Sequence, residues 1–323
     1  HGRCPALDRQ LQTGGGGGAG RTGIKVSEIG MGCNRLGQDH QPQDFWIDLV
    51  RQAADLGVTI FDTAEAYEWG GSEDVLGLAL GNRDDVYIAT KMCRVRKTNA
   101  RDYSANRMRE TAEGSLRRLR RECIDIYQLH SPSRDDMERD DWVEGMDSLK
   151  AQGKIRYAAV AVNSVADGIW LIEQDAVDVL QCTYNIFNTD AENRLFALAK
   201  EKGIGLLIRL PLAQGILSGK FSPGTKVPAG HRAHLAGDQM QDRIQKASDL
   251  RPLGNVYSGG MTRLAHHFSL KPQAVSAIIP GARSTNQLKE NVAAGLLLLT
   301  GWPEAAAAVR RSKYSAHTSF MAS

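Results

Sequence analysis

The 323-residue chain has little of the charge, aromatic content and long apolar sequence that would point to a particular partner. Its formal net charge at pH 7 is only +3, there are no long runs of like charge, and aromatic residues make up 6% of it. This balance gives no indication of a nucleic-acid or membrane-surface partner, although mild basicity suits an anionic cofactor. The longest strongly apolar run, residues 296–299, is far shorter than the roughly 20 residues that span a bilayer. We therefore expect no membrane segment.

Cysteine is scarce as well. The five cysteines are odd in number, scattered along the chain and without the spacing of metal ligands. They are Cys4, Cys33, Cys93, Cys123 and Cys182. This pattern predicts reduced thiols in a cytoplasmic protein and gives no indication of a metal site.

The chain begins with His1 instead of Met and soon passes through a glycine-rich tract, residues 14–18. We interpret residues 1–20 as a flexible or engineered N-terminal segment. The remainder, residues 21–323, has an ordinary length for one α/β barrel and can build a core without disulfides. We expect a single domain there.

Short apolar runs of β-strand character alternate with longer segments of helical period. The strand candidates end near Cys33, Asp62, Lys91, His130, Val162, Gln181, Arg209 and Ile279. The helical candidates are residues 45–56, 72–80, 104–119, 141–152, 165–173, 191–202, 261–270 and 285–294. Strict alternation favours a closed parallel (β/α)8 TIM barrel over an open doubly wound sheet, although counting elements leaves closure open. A Rossmann fold is disfavoured because no G-x-G-x-x-G follows the first strand candidate.

Residues 214–255, after the seventh strand candidate, are too many for an ordinary connection between a strand and a helix. They are rich in Gly, Pro, His and Arg. We predict a long functional loop over the barrel mouth, in preference to a second domain.

Ionisable side chains end three consecutive strand candidates, where a barrel enzyme places its catalytic groups. VTIFD ends in Asp62, VYIATK in Lys91 and IDIYQLH in His130, and Tyr67 follows in the loop FDTAEAYEWGG. Tyr67 is predicted to protonate a carbonyl oxygen, with its pKa lowered by Lys91, which Asp62 keeps charged. His130 would donate to the same oxygen or share the proton. Each of these residues taken alone more often has a structural role. Because all four are predicted to meet at the same barrel mouth, a catalytic role is favoured.

The same residues lie in motifs that resemble the aldo-keto reductase family over residues 22–294. The matching stretches are KVSEIGMGCNRLG, FDTAEAYEWGGSEDVLGLAL, VYIATK, IDIYQLHSP, GKIRY, VLQCTYN, PLAQGILSGK and IIPGARSTNQLKENV. The resemblance, which is to the bacterial and potassium-channel-β-like branch, implies a (β/α)8 barrel with NADP(H) extended across its C-terminal mouth. It also implies a catalytic tetrad at Asp62, Tyr67, Lys91 and His130, with the tyrosine as general acid.

The resemblance further implies cofactor contacts at matching positions. Gln181 would hydrogen-bond the nicotinamide amide, and Pro211, Leu212 and Lys220 would wrap the pyrophosphate. Arg232, a weaker match, would close over the cofactor. The alternatives are that Gln181 satisfies backbone groups within its strand and that Lys220 is a surface charge.

The last motif also supports a physical argument. Gly281 and Arg283 precede a helix whose start is marked by Ser284 and Gln287, at the spacing of a capping box. The positive end of this helix favours phosphate, and Arg283 suits a 2′-phosphate, so NADPH is preferred to NADH. A bare cap beside a surface arginine is the alternative. The further family positions at the adenosine end are Gln287, Glu290 and Asn291.

The chain departs from the family at several positions. Ala159 and Ala161 replace a Gly and a Ser of the fifth strand, and a lost hydroxyl there removes a hydrogen bond worth about 1 kcal/mol. Asn163 is a candidate to compensate. Arg209 stands where many relatives have an aromatic that stacks on nicotinamide. Tyr184 is a candidate substitute for it, with a packing role in the core or a loop as the equal alternative.

Trp69, two residues beyond Tyr67, is our candidate for a wall of the substrate pocket, with a packing role on the barrel rim as the alternative. We predict an NADPH-dependent oxidoreductase that reduces an aldehyde or ketone to an alcohol. Two other classes stay open: an NADPH-binding regulatory or scaffold protein with little turnover, and a barrel lyase or aldolase with Lys91 as a Schiff-base nucleophile.

Overall fold

A computed structural model describes residues 17–18, 20–92, 95–225 and 238–295. Within these ranges, eight parallel strands form one sheet in chain order, each hydrogen-bonded to the next. They are β1 (Met31–Gly32), β2 (Ile60–Asp62), β3 (Tyr87–Met92), β4 (Ile124–His130), β5 (Ile155–Ala161), β6 (Val179–Thr183), β7 (Gly205–Arg209) and β8 (Ala277–Ile278). Each strand ends within two residues of its predicted position.

Backbone hydrogen bonds between the first and last strands close the sheet. The Gly30 N–H donates to the Ile278 carbonyl at 2.8 Å, and the Gly32 N–H donates to the Pro280 carbonyl at 3.0 Å. In the other direction, the Ile278 N–H donates to the Glu28 carbonyl at 2.9 Å. The predicted (β/α)8 barrel is therefore confirmed.

Helices connect the strands. They are α1 (Gln43–Asp55), α2 (Gly71–Leu80), α3 (Ala105–Leu119), α4 (Arg134–Arg139), α5 (Trp142–Ala151), α6 (Val165–Glu173), α7 (Leu195–Lys202), α8 (Asp238–Asp249), α9 (Arg251–Val256), α10 (Gly260–Leu270) and α11 (Thr285–Gly295). Eight of them match the predicted amphipathic segments, whereas α4, α8 and α9 were not predicted. None of the helices in the described part of the chain is long and apolar enough to cross a membrane.

The segment after β7 is more structured than the predicted long loop. Its described residues form a 3-10 helix (Ala213–Ser218) and the helices α8 and α9. Arg232, the predicted arginine over the cofactor, lies outside the described residues.

Apolar side chains fill the barrel interior near the N-terminal ends of the strands. This cluster consists of Ile60, Tyr87, Ala89, Ile126, Ala159, Val179, Leu207 and Ala277, together with Ile24 and Val26, which precede β1. The strand Lys25–Val26 pairs antiparallel with Gly17–Gly18. Gly17 and Gly18 belong to the segment that was expected to be flexible, yet they are in regular structure. With one end of the barrel packed in this way, the C-terminal end is left for polar groups.

The outer core lies between the strands and the helices. In α1, for example, Trp46, Leu49, Val50 and Ala53 are fully buried, at the spacing that places side chains on one face of a helix. This periodicity is what made the eight barrel helices predictable.

One expectation about cysteine is wrong. Cys123, just before β4, is disulfide-bonded, whereas Cys33 and Cys182 are free thiols. Sequence spacing predicted reduced thiols throughout, but spacing does not show which cysteines a fold brings together.

A buried histidine in α10 links stability to pH. His266 is fully buried, and neither of its ring nitrogens has a hydrogen-bond partner among the described residues. Burial, together with the adjacent His267, lowers the pKa of His266 to about 3. The native state therefore holds this imidazole neutral, while an unfolded chain binds a proton there below about pH 6.5.

We predict that wild-type protein loses about 2 kcal/mol more of its unfolding free energy than His266→Leu between pH 7.5 and pH 5. The loss appears as pH falls because only the unfolded state gains the proton in this range. Urea denaturation at each pH measures it. Between pH 7.5 and pH 8.5 the two proteins should differ by a constant amount, and parallel stability curves down to pH 5 would show that His266 is not responsible.

Candidate active site

An ion pair joins the ends of β2 and β3. Asp62 ends β2 and is paired in register with Ala89 of β3, so Lys91, two residues later, points to the same face of the sheet. The Lys91 Nζ donates to Asp62 Oδ2 at 2.6 Å and to the Thr63 carbonyl at 2.7 Å. Both side chains are almost completely buried, with 1% of Lys91 and 5% of Asp62 exposed.

This pairing determines the charge of the lysine. Burial alone would lower the pKa of Lys91, but the Asp62 carboxylate, with a smaller contribution from Tyr67, raises the pKa above its ordinary value. Lys91 is therefore an ammonium ion at neutral pH, as the sequence argument expected.

Two glutamine amides complete the surroundings of the carboxylate. Gln181 Nε2 donates to Asp62 Oδ1 at 2.7 Å, and Gln128 Nε2 donates to the same oxygen at 3.1 Å. Gln128, which the sequence analysis missed, lies in β4 two residues before His130 and is fully buried. A polar residue on the interior face of a buried strand was the signal that could have identified it.

Within the Gln181 side chain, only the amide nitrogen makes hydrogen bonds to the described residues. Its amide nitrogen is used by Asp62 and, at 3.3 Å, by Gln128 Oε1. Its amide oxygen accepts no hydrogen bond from a described residue. This oxygen can accept from a primary amide, which is the role that the resemblance implies.

Tyr67 lies over the ion pair at the start of a 3-10 turn (Tyr67–Gly70). The Lys91 Nζ is 5.3 Å from the centroid of the Tyr67 ring. The rings of Tyr67 and His130 are perpendicular, with centroids 5.5 Å apart. The structure thus brings the four predicted catalytic side chains together.

The 3-10 turn that begins at Tyr67 has strained backbone. Glu68 and Trp69 have φ angles of 49° and 50°, in the left-handed region that residues other than glycine rarely adopt. Such conformations persist only where their surroundings impose them, often at functional sites. Trp69 is 37% exposed and is not among the residues that line the cleft described below, so its predicted role as a pocket wall stays a prediction.

The acidity of Tyr67 differs from the sequence argument. Burial raises the pKa of the Tyr67 phenol above its ordinary value; Lys91 and Arg209 lower it, and Asp62 adds to the increase. The sequence analysis took account of the Lys91 ammonium but not of the loss of water around the phenol. This loss of water has the larger effect on the pKa of Tyr67. Tyr67 therefore stays protonated at neutral pH and can donate a proton.

A cleft of about 600 Å³ opens at the C-terminal end of the barrel, with Asp62 and Tyr67 in its wall. All the predicted cofactor residues that the structure describes line the same cleft. They are Gln181, Pro211, Leu212, Lys220, Gly281, Arg283, Gln287, Glu290 and Asn291. Residues from the ends of β1, β6, β7 and β8 thus meet around one space.

Positive charge predominates in the cleft. The charged lining residues are Arg35, Arg209, Lys220, Arg283, Asp62 and Glu290. Because Lys91 already neutralises Asp62, the balance favours an anionic ligand such as a dinucleotide. Arg35 was not predicted as a site residue.

The start of α11 is capped differently from the prediction. The Gln287 N–H donates to Ser284 Oγ at 3.3 Å, as a capping box requires. The Gln287 side chain, however, accepts from the Arg283 N–H at 2.9 Å instead of from Ser284. Asn291 Nδ2 donates to the Gly281 carbonyl at 3.3 Å. Asn291 therefore holds the loop between β8 and α11 in place. The side chains of Arg283, Gln287 and Glu290 are exposed.

Residues of the segment after β7 line the cleft, and part of this segment has strained backbone. Leu210, Ala213 and Gln214 have positive φ angles of 58°, 45° and 59°. Asn185 Nδ2 donates to the Leu210 carbonyl at 2.9 Å and helps to hold this conformation. Lys220 is exposed, with its Nζ 5.2 Å from the centroid of the Phe221 ring.

Tyr184 does not replace the missing aromatic. It is almost fully buried, stacks on Phe268 with ring centroids 5.4 Å apart, and packs edge-on against Phe196. These contacts place it in the outer core. Arg209 itself lines the cleft, and Asn163 Oδ1 accepts from it at 3.2 Å. The suggested role of Asn163 in place of the hydroxyl absent at Ala161 stays a prediction.

Known proteins resemble this chain in sequence and fold. Residues 28–301 match the model of the aldo/keto reductase family, so the chain belongs to this family of oxidoreductases. It is 31% identical over 300 residues to the NADH-specific methylglyoxal reductase of Escherichia coli, covering 85% of this chain and 91% of that protein. It is 28% identical over 301 residues to a probable voltage-gated potassium channel subunit beta of Oryza sativa, covering 85% and 89%.

A solved structure is also similar. The holo form of the aldo-keto reductase AKR11C1 from Bacillus halodurans aligns with a TM-score of 0.77 at 28% identity. The alignment covers 91% of this chain and 94% of that chain.

The buried ion pair can be tested through stability. Lys91→Met leaves the Asp62 carboxylate buried without its counter-ion, and we expect a loss of about 3–5 kcal/mol in unfolding free energy. The double variant with Asp62→Asn should be more stable than Lys91→Met alone, because no buried charge remains. Urea denaturation of the single and double variants gives the coupling.

The control is Lys154→Met, which removes a pair with Glu113 that is 2.7 Å long but partly exposed. Its expected loss is below about 1 kcal/mol. Equal losses for Lys91→Met and Lys154→Met would contradict the importance of the buried pair.

Proposed function

We propose that this protein is an NADPH-dependent carbonyl reductase that converts an aldehyde or ketone to an alcohol. One observation carries the proposal: a protonated tyrosine, supported by a buried ammonium–carboxylate pair, lies in the same cleft as the described cofactor positions. When bound, the reduced nicotinamide supplies the hydride that the carbonyl carbon accepts. Tyr67 gives its proton to the carbonyl oxygen, so that the alcohol forms and the charge left on the phenolate faces Lys91.

The surrounding residues have definite roles in this proposal. Lys91 stabilises the phenolate of Tyr67, and Asp62 holds Lys91 in place and charged. His130, whose ring meets that of Tyr67 edge-on, donates a hydrogen bond to the carbonyl oxygen. The oxygen of Gln181 accepts from the nicotinamide amide.

A Schiff-base mechanism is less well supported. The Lys91 Nζ is buried, bonded to Asp62, and carries a proton at neutral pH because its pKa is raised. An ammonium ion has no lone pair with which to attack a carbonyl. The aldolase or lyase alternative therefore lacks its nucleophile.

The decisive variant is Tyr67→Phe. We expect NADPH consumption with a panel of aromatic and short aliphatic aldehydes to fall by at least about 10²-fold, because the proton donor is lost. The Kd for NADPH, measured by fluorescence titration, should stay nearly unchanged, since the ring remains. Preserved turnover would exclude Tyr67 as the acid. Binding without turnover in the wild type would favour a cofactor-binding regulatory or scaffold protein.

Cofactor preference follows from Arg283, which is exposed beside the start of α11. Although one relative is named as NADH-specific, a guanidinium at this place suits the 2′-phosphate of NADPH. We expect Arg283→Ser to raise the Kd for NADPH at least about tenfold with little change for NADH, as a lost charge-assisted hydrogen bond implies. Titration of both nucleotides measures the difference, and equal losses would argue against a 2′-phosphate contact.

A further inference from the structure

Arg209, at the end of β7, is held firmly in the cleft by neutral groups. Its Nε donates to Thr183 Oγ1 at 3.2 Å, and one terminal nitrogen donates to Ser131 Oγ at 3.4 Å. The other terminal nitrogen donates to the Val162 carbonyl at 2.9 Å and to Asn163 Oδ1 at 3.2 Å. The side chain of Arg209 is therefore positioned before any ligand binds.

No carboxylate of the described residues pairs with this guanidinium. Other arginines that are mostly buried in the barrel wall each contact an aspartate or glutamate; examples are Arg107, Arg118, Arg121 and Arg156. Burial lowers the pKa of Arg209, and the neighbouring groups Tyr67, Cys182 and Asp62 offset this effect only in part. A ligand could supply the missing negative charge.

The guanidinium also has a donor to spare. Of the five N–H groups that arginine carries, four are used in the bonds above, and the remaining one is on the nitrogen that faces Ser131. Asp62, which lines the same cleft, is already neutralised by Lys91. The cleft therefore carries an uncompensated positive charge on the side where Tyr67 lies.

We propose that Arg209 binds a carboxylate of the substrate, so that the preferred substrates are aldehydes or ketones that carry a carboxylate group. The guanidinium donates its remaining N–H to one carboxylate oxygen and supplies the counter-charge, while the carbonyl oxygen faces Tyr67. This inference rests on the proposed carbonyl reduction and names its substrate class. The cations expected to bind the phosphates, Lys220 and Arg283, are separate residues.

Matched substrates test the proposal. Two acids, 4-carboxybenzaldehyde and pyruvate, are compared with their neutral methyl esters, which keep the reacting carbonyl and nearly the same shape. For wild-type protein with NADPH, kcat/KM for at least one acid should exceed that for its ester by tenfold or more. Arg209→Gln should reduce that ratio at least tenfold, whatever it does to overall rate, and Arg209→Lys should retain part of it.

The control is Arg109→Gln on α3, which removes the same charge at an exposed position outside the cleft. It should keep the wild-type ratio, which separates direct contact from the general attraction of anions to the protein. A wild type without preference for either acid, or a preference that survives Arg209→Gln, overturns the proposal.

A binding measurement separates this proposal from the proposed function. Benzoate is titrated calorimetrically into the protein saturated with NADP⁺, and Arg209→Gln should weaken its binding at least tenfold. If no carbonyl compound is reduced but benzoate binding depends on Arg209, the reductase assignment fails and the anion site stands. If Arg209→Gln instead weakens NADP⁺ and leaves benzoate unaffected, the guanidinium contacts the cofactor and the proposal is wrong.

Discussion

The buried pair between Asp62 and Lys91 is the interaction on which the site depends. Two charges taken out of water are tolerated only if they meet each other and their remaining hydrogen bonds are satisfied. That requirement fixes the ends of β2 and β3 side by side, recruits the amides of Gln128 and Gln181, and places an ammonium beneath Tyr67. The same contacts hold the strands together and place the ammonium that the proposed mechanism requires beside the tyrosine.

Along the barrel axis, apolar packing lies at one end and the candidate active site at the other. Near the N-terminal ends of the strands the interior is apolar, with Ile24 and Val26 packed against it. At the C-terminal ends it is polar, and strained backbone occurs there at Leu210, which lines the cleft, and at Glu68 and Trp69, which follow Tyr67. Apolar packing at one end thus stabilises a fold in which polar and strained groups are retained at the other.

Much of this could be predicted from the sequence, because it depends on local patterns. Strand ends could be predicted from apolar runs that stop at ionisable residues such as Asp62 and His130, and barrel helices from their apolar periodicity. What could not be predicted depends on long-range surroundings. The pKa of Tyr67 reflects burial that only the folded site creates, Tyr184 packs outward instead of into the cleft, and Cys123 is disulfide-bonded despite uninformative spacing.

The central claim, that one cleft positions a nicotinamide cofactor against Tyr67, is tested most directly by a crystal structure of the complex with NADP⁺. The account predicts that the nicotinamide amide donates to the oxygen of Gln181, that the ring lies against Tyr67, and that the 2′-phosphate contacts Arg283. A cofactor bound in the opposite direction, or outside this cleft, would contradict it.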